Sequence, residues 1–446
     1  ADNMSISAAR SWVDSLARVK AGNFFAVAFD SDTIAGRETL EAFTTALGEL
    51  TTGARQKVSI LHIGDSHIQA GSLTRPVREV FQTMFGDGGR GLVFPYRAAK
   101  TNGPEDYLST RIETWSTANL LNLRDTIDPG ISGYTMTPLS PKSSIVLGFP
   151  RMCPGSEGLI HLFWSGTRQE KFFLEGDSGA LLTSYRLPLV SRQSGQTVYS
   201  WESMGSGKVA IRHESGTGRC RVDGLVHYSR RPGIVYHAIG VNGLSMHHVT
   251  KAFRFLEQAQ TLSPNLIIVS LGTNDAYGSR FDSSLVAHHI DSMITALKVG
   301  FPEASLLLTT PQESYRTIPL YRTYTDGKGR TRRRRTGSRL ELNANIDAVR
   351  CMILEGAQRQ GVATWDWFQV AGGEGSMPRW REAGLAAADQ IHLTPSGYEL
   401  TGMLLTCALL DAIDLPRPES AFKSPSPGAN SAAAPPAETQ RKRREF

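Results

Sequence analysis

The chain has 446 residues, 40% of them hydrophobic, enough for a sizeable core and, on length, for two or three domains. No apolar run reaches 18 residues, so no transmembrane helix is expected. The net charge of +6 is uneven: residues 326–339 hold seven basic residues and one acid, and residues 416–446 hold six and three, so the remainder is slightly acidic and a nucleic-acid-binding face is not indicated.

The chain begins Ala1-Asp2-Asn3 without Met or a signal peptide, which fits either a processed mature start or a trimmed sequence. Residues 1–56 hold two helical patterns. The first, over 8–19, carries Trp12, Leu16 and Val19 on one face. The second, over 37–50, carries Leu40, Phe43, Leu47 and Leu50. Val58, Ile60, Leu61 and Ile63 then form a short apolar run, as a buried parallel strand would. It stops at Gly64, and Ile68, Leu73, Val77, Val80 and Phe81 follow at helical spacing, so Ser66 sits where a strand turns into a helix. The glycine-rich stretch Phe85–Gly91 lacks the ending of a phosphate-binding P-loop and is expected to be a flexible turn.

From about 94 to 231 short β-type runs alternate with Gly, Ser and Pro: 144–149, 159–164, 197–201, 208–213 and 219–226. This spacing predicts an antiparallel sandwich inserted into a parent α/β fold. The β-α alternation resumes with strands at 234–239, 266–271, 305–309 and 362–368. Helices are expected at 283–299 and 339–359, with a solvated arginine-rich loop at 326–339 and another loop at 372–380. The basic tract 332–335 is also able to touch anionic polymers. A last helix opens at Thr394-Pro395, a good cap followed by a good first residue. The tail 416–446 is rich in Pro, Ser and Ala and is expected to be disordered. The parent domain is thus read as 1–93 plus 232–415, and the insert as 94–231.

No Cys-x-x-Cys pair occurs among the four cysteines, so a zinc site of that type is not expected. Cys351 and Cys407 read as small buried residues. Cys153 and Cys220 fall in one segment and could pair in an oxidising compartment. The adjacent pairs His247-His248 and His288-His289 point in different directions on a helix and are not expected to hold a metal. No organic cofactor is implied either.

Four motifs follow strands or precede the last helix: Gly64-Asp65-Ser66-His67, Gly240-Val241-Asn242-Gly243, Gly272-Thr273-Asn274-Asp275 and Asp389-Gln390-Ile391-His392. A doubly wound parallel sheet would bring all four to one edge. Together they supply what acyl transfer needs. Ser66 is the nucleophile, His392 the base and Asp389 the group that orients it. The oxyanion donors are the backbone N–H of Ser66, the backbone N–H of Gly243 and the side-chain amide of Asn274. Asp65 and Asp275 are expected to bond to local backbone, and His67 to be structural or at the rim. Trp164, Tyr199 and Trp201 in the insert are candidates for sugar stacking or, more simply, core packing. Trp380 is a candidate wall of the site.

These blocks, in this order, resemble those of the SGNH (GDSL-type) hydrolases over about 55–95 and 232–412. His67 departs from the usual Gly-Asp-Ser-Leu. That variant, the long insert, and the loops Phe85–Gly91 and Gly372–Trp380 resemble the peptidoglycan O-acetylesterase branch. The resemblance implies an α/β fold with a five-stranded, doubly wound parallel sheet in flavodoxin-like order and an inserted carbohydrate-binding-module-like β-sandwich. It also implies a periplasmic, envelope or secreted serine esterase removing acetyl from the 6-hydroxyl of muramic acid. Acetylated xylan, pectin or sialic acid, transfer to a sugar acceptor, and a non-catalytic glycan-binding role are the alternatives.

Overall fold

Seven strands form the central sheet of the computed structural model, which describes residues 5–22, 27–112, 115–122, 128–140, 143–148, 158–165, 171–175, 183–186, 194–201, 208–214, 220–277 and 281–413. Five of them are parallel and lie side by side as Ala363–Trp365, Ser305–Thr309, Leu266–Ser270, Lys57–Gly64 and Gly233–Gly240. Counted along the chain this is the order 2-1-3-4-5, the flavodoxin-like arrangement. Two short strands without a sequence signal extend the edges. Asp87–Gly89 pairs parallel with Gly233–Gly240, and Ile34–Ala35 pairs antiparallel with Ala363–Trp365.

Alternation along the first parallel strand divides the core between the two faces of the sheet. Val58 and Ile60 pack with the N-terminal helices and the last helix, Pro395–Ala412. Leu61 and Ile63 pack on the other side, with the helices Ser283–Gly300 and Asn345–Gln360. All four are fully buried. Burial of such a side chain is worth about 1.5–3 kcal/mol over exposure. Gly64 ends the strand because the next helix returns so closely that a Cβ there would lie 2.2 Å from Ile68 Cγ1.

Between the first and second parallel strands the chain builds two antiparallel sheets, one of four strands and one of seven. The five expected runs are all strands. Leu108–Ile112, Trp115–Asn119, Tyr134–Pro138, Lys171–Glu175 and Thr183–Arg186 add to them. The apolar core of this β region is continuous with one face of the central sheet, through residues such as Ile131, Val226, Ile239 and Val241.

The Phe85–Gly91 stretch corrects the expectation of a flexible turn. Asp87–Gly89 belongs to the central sheet, while Gly91–Val93 pairs with Arg221–Ser229 in the inserted one. Glycine is required because backbones touch here: a Cβ on Gly88 would lie 2.5 Å from Gly233 O, and one on Gly91 2.1 Å from Tyr236 O. Arg90, in the middle, joins a buried ion cluster. Asp106 Oδ2 lies 2.8 Å from Arg78 Nη2 and 2.7 Å from Arg90 Nε.

Other expectations are also corrected. In the first helix, Ile6–Ala21, the buried stripe is Ala9, Val13, Ala17 and Ala21, while Trp12, Leu16 and Val19 are exposed. Small side chains let this helix lie close against the last one, and that close approach decides which face turns inward. The arginine-rich segment is an exposed hairpin of Tyr315–Thr325 and Thr331–Leu342, so the following helix starts only at Asn345. Its turn is set by Asp326, whose Oδ1 accepts the N–H groups of Lys328 and Arg330. The fifth parallel strand stops at Trp365, and the 372–380 loop contains the helix Ser376–Glu382. Cys407 is buried as expected, but Cys351 is exposed, because its helix turns Val349 and Ile353 inward instead. Cys153, and with it the Cys153–Cys220 pairing, lies outside the described residues, as does the tail 416–446.

Candidate active site

Ser66 is the first residue of a one-turn helix, Ser66–Gln69, capped by Asp65, whose Oδ1 accepts the N–H of His67 at 3.0 Å. As a first-turn residue it keeps a backbone N–H without a helical acceptor. Its Oγ lies 2.9 Å from His392 Nε2. His392 Nδ1 in turn lies 2.8 Å from Asp389 Oδ2. The carboxylate can only accept, so Nδ1 carries the proton and Nε2 is left to accept from the Ser66 hydroxyl.

The turn carrying Asp389 and His392 is held from several sides. Asp389 Oδ1 accepts the N–H groups of Ile391 and His392, both at 3.0 Å. Gln390 adopts a left-handed conformation, with φ of 52°, which folds the turn back on itself. Its carbonyl accepts from Tyr315 N–H, and Gln312 Nε2 donates to Ile391 O. Partial burial works to raise the Asp389 carboxyl. The bonds from the His392 ring and from the two N–H groups outweigh it and hold the group below its ordinary value.

Ser66, Gly243, Asn274 and His392 line one open cleft of about 540 Å³, with Asn102, Asn242 and Tyr398. The candidate nucleophile, base and oxyanion donors thus share one cleft, with Asp389 behind His392. The two glycines of the second block do different things. A Cβ on Gly240 would lie 2.2 Å from Gln69 N, so Gly240 serves close packing, whereas Gly243, with φ of 86°, faces the cleft. Asn274 differs from the simplest expectation. Its Nδ2 donates to Asp65 Oδ2 and to Leu244 O, each at 3.0 Å. Both amide hydrogens are engaged, and an oxyanion at this position must share or displace one of those acceptors.

His67 packs its ring 5.4 Å from that of His392 and places Nδ1 3.0 Å from Tyr398 Oη. Burial, then the neighbouring His392, lowers it to about 3, so it is a neutral support beside His392. Burial pushes the Asp65 carboxyl up to about 7, against the bond from His67 N–H. Trp380 is core: it is buried, donates to Ala371 O and meets Trp367 edge-on. Trp164 is buried as well, while the side chains of Tyr199 and Trp201 lie outside the described residues.

One supporting residue escaped the sequence reading. Gln69 is almost fully buried. Its Nε2 donates to Thr101 Oγ1 and Asn102 O, and its Oε1 accepts from Tyr134 Oη and from the N–H of Asn242. It ties the serine turn to the insert and to the Gly243 loop. Its only signal was a polar residue on the inward side of the turn that Ser66 begins.

Residues 216–400 match the model of the GDSL-like lipase/acylhydrolase family. The match includes Gly243, Asn274, Asp389 and His392 and begins after Ser66, which the insert separates from them. No curated protein sequence matches the chain significantly. A solved structure of a peptidoglycan O-acetylesterase is similar over 83% of this chain and 96% of its own, with a TM-score of 0.66 and 22% identity. A lipase/acylhydrolase from Enterococcus faecalis is similar over 42% of this chain and 80% of its own, at 16% identity and a TM-score of 0.29. The acetyl xylan esterase AlAXEase is similar over 39% and 78%, at 15% identity and a TM-score of 0.28. The matched segment is similar to the GDSL-like lipase/acylhydrolase family, and the sheet order and the four blocks on one sheet edge agree with that likeness.

Proposed function

We propose that this protein is a serine esterase that removes O-acetyl groups from a cell-wall polysaccharide, with O-acetylated peptidoglycan as the substrate. The observation that carries the chemistry is the unbroken chain Ser66 Oγ, His392 Nε2, His392 Nδ1, Asp389 Oδ2, with links of 2.9 and 2.8 Å, at the edge of an open cleft. The substrate class is supported by the likeness in fold, across both the parallel sheet and the inserted β region, to a protein described as a peptidoglycan O-acetylesterase. Work on the cell envelope, in the periplasm or outside the cell, follows from that substrate.

His392 takes the Ser66 proton as Oγ adds to the acetyl carbonyl carbon. The carbonyl oxygen becomes an oxyanion facing the N–H groups of Ser66 and Gly243 and the amide of Asn274. Collapse breaks the bond to the sugar oxygen, which leaves with the proton from His392. Water, deprotonated by the same ring, then attacks the acetyl-serine, and acetate departs as the proton returns to Ser66 Oγ.

Acetate release from O-acetylated peptidoglycan and from acetylated xylan, measured side by side, tests the reading. Faster release from peptidoglycan, lost in Ser66→Ala, is expected. A preference for xylan would move the substrate to another glycan, and acetyl appearing on added oligosaccharide instead of in water would make the protein a transferase.

A further inference from the structure

We propose that His247, Asp275 and His289 form a binding site for one zinc-like divalent metal ion, behind the loops that carry Gly243 and Asn274. Each offers one ligand atom, and the three atoms lie within 4.8 Å of one another. They come from three elements: the helix Met246–Lys251, the loop after Leu266–Ser270, and the helix Ser283–Gly300. Neither adjacent His-His pair can hold a metal by itself, because neighbours on a helix point in different directions. The fold instead selects one histidine from each pair, with ring centroids 5.2 Å apart.

The discarded partners have other roles. His248 accepts the N–H of Ser245 at Nδ1 and so closes the capping box of its helix. His288 is exposed and lies nearest Ser292 Oγ.

The donor set fits a borderline metal. Two imidazoles and one carboxylate suit zinc, nickel or cobalt better than calcium or magnesium, which favour all-oxygen sites. Ligand atoms on a tetrahedral zinc with bonds of about 2.0–2.1 Å stand closer together than 4.8 Å, so small side-chain rotations complete the site. Water takes the remaining position. Asp275 supplies an independent sign. Its carboxylate accepts from Met246 N–H, and no cationic side chain pairs with it among the described residues. A bound dication would provide the missing counter-charge.

The location gives the site a consequence. Asp275 follows Asn274, and Met246 comes three residues after Gly243. A metal on Asp275 and His247 ties the two oxyanion loops together and to the helix Ser283–Gly300.

The test uses the untagged full chain, stripped of metal, with zinc titrated against a chromophoric chelator. One ion per chain is expected, with a rise in Tm. His247→Ala/His289→Ala is expected to weaken binding by roughly 100-fold or more and to abolish the Tm rise. His288→Ala and His392→Ala keep both effects. Cobalt added to the wild-type protein gives visible bands of a low-coordinate nitrogen and oxygen site, a readout that does not depend on folding of the variant. Zinc binding that persists in the double variant, binding lost instead in His392→Ala, or no one-to-one binding and no cobalt bands in the wild type would each overturn the assignment.

Discussion

Asn274 donates its amide to Asp65 across 209 positions of sequence, at 3.0 Å. The bond aims the Asn274 side chain at the mouth of the serine turn, and Asp65 is also the cap that fixes Ser66. Removing the amide in Asn274→Ala should lower kcat by roughly 10²–10³ with little change in KM, as for one lost oxyanion donor. Asn274→Asp keeps the shape but sets a carboxylate against Asp65. It should lose the same activity and, unlike Asn274→Ala, lower the Tm markedly at pH 8 relative to pH 5. Turnover of a chromogenic acetate ester and thermal melts of both variants check this.

In the proposed mechanism Ser66, His392 and Asp389 act as one unit, so their losses should not add. Ser66→Ala and His392→Ala should each abolish measurable hydrolysis of the acetate ester, and the double variant should be no worse than either. Asp389→Asn, which removes the acceptor that fixes the His392 tautomer, should cost roughly 10³–10⁴ in kcat. Near-normal turnover by Ser66→Ala would show that another residue attacks the ester.

Asp106 lies between Arg78 and Arg90, all three side chains mostly buried. Burial alone would raise the Asp106 carboxyl, but Arg90 and then Arg78 pull it down to about 2. Its contribution is therefore complete above the unfolded value near 4 and is lost as pH falls through about 2. Asp106→Ala leaves two guanidinium groups together without their anion and should destabilise the protein by about 3–5 kcal/mol at pH 7. Urea denaturation measures the loss. A cost below 1 kcal/mol would mean that water already screens the cluster.

Asp32 shows the opposite shift. Trp365 Nε1 donates to its Oδ1 at 2.8 Å, yet burial pushes the carboxyl up to about 7. The unfolded group titrates near 4, so between those values the folded protein holds the proton more tightly. That advantage is full in acid and disappears as pH rises through about 7. Asp32→Asn keeps an acceptor for Trp365 and has no charge to bury. Its stability relative to wild type should rise by roughly 1 kcal/mol per pH unit between pH 4.5 and 7. Denaturant midpoints at three pH values decide it, and parallel curves for the two proteins would refute the burial argument.

Local pattern alone was enough for much of this protein. The apolar run at 58–63, its stop at Gly64 and the helical spacing after it located Ser66, and the later β-α alternation located Gly243, Asn274 and the 389–392 turn, because backbone periodicity and turn chemistry are written in neighbouring residues. What neighbours do not encode was decided by packing. The first helix has two candidate faces, and only contact with the last helix turns its alanines inward and leaves Trp12, Leu16 and Val19 outside. Gln69 is an ordinary polar residue until Thr101, Tyr134 and Asn242 close around it. The glycines at 86–91 gave no hint that they fuse two sheets. His247, Asp275 and His289 meet only because two helices and a strand-end loop converge. Each of these depends on distances between segments far apart in the chain, which hydrophobic period and turn residues do not specify.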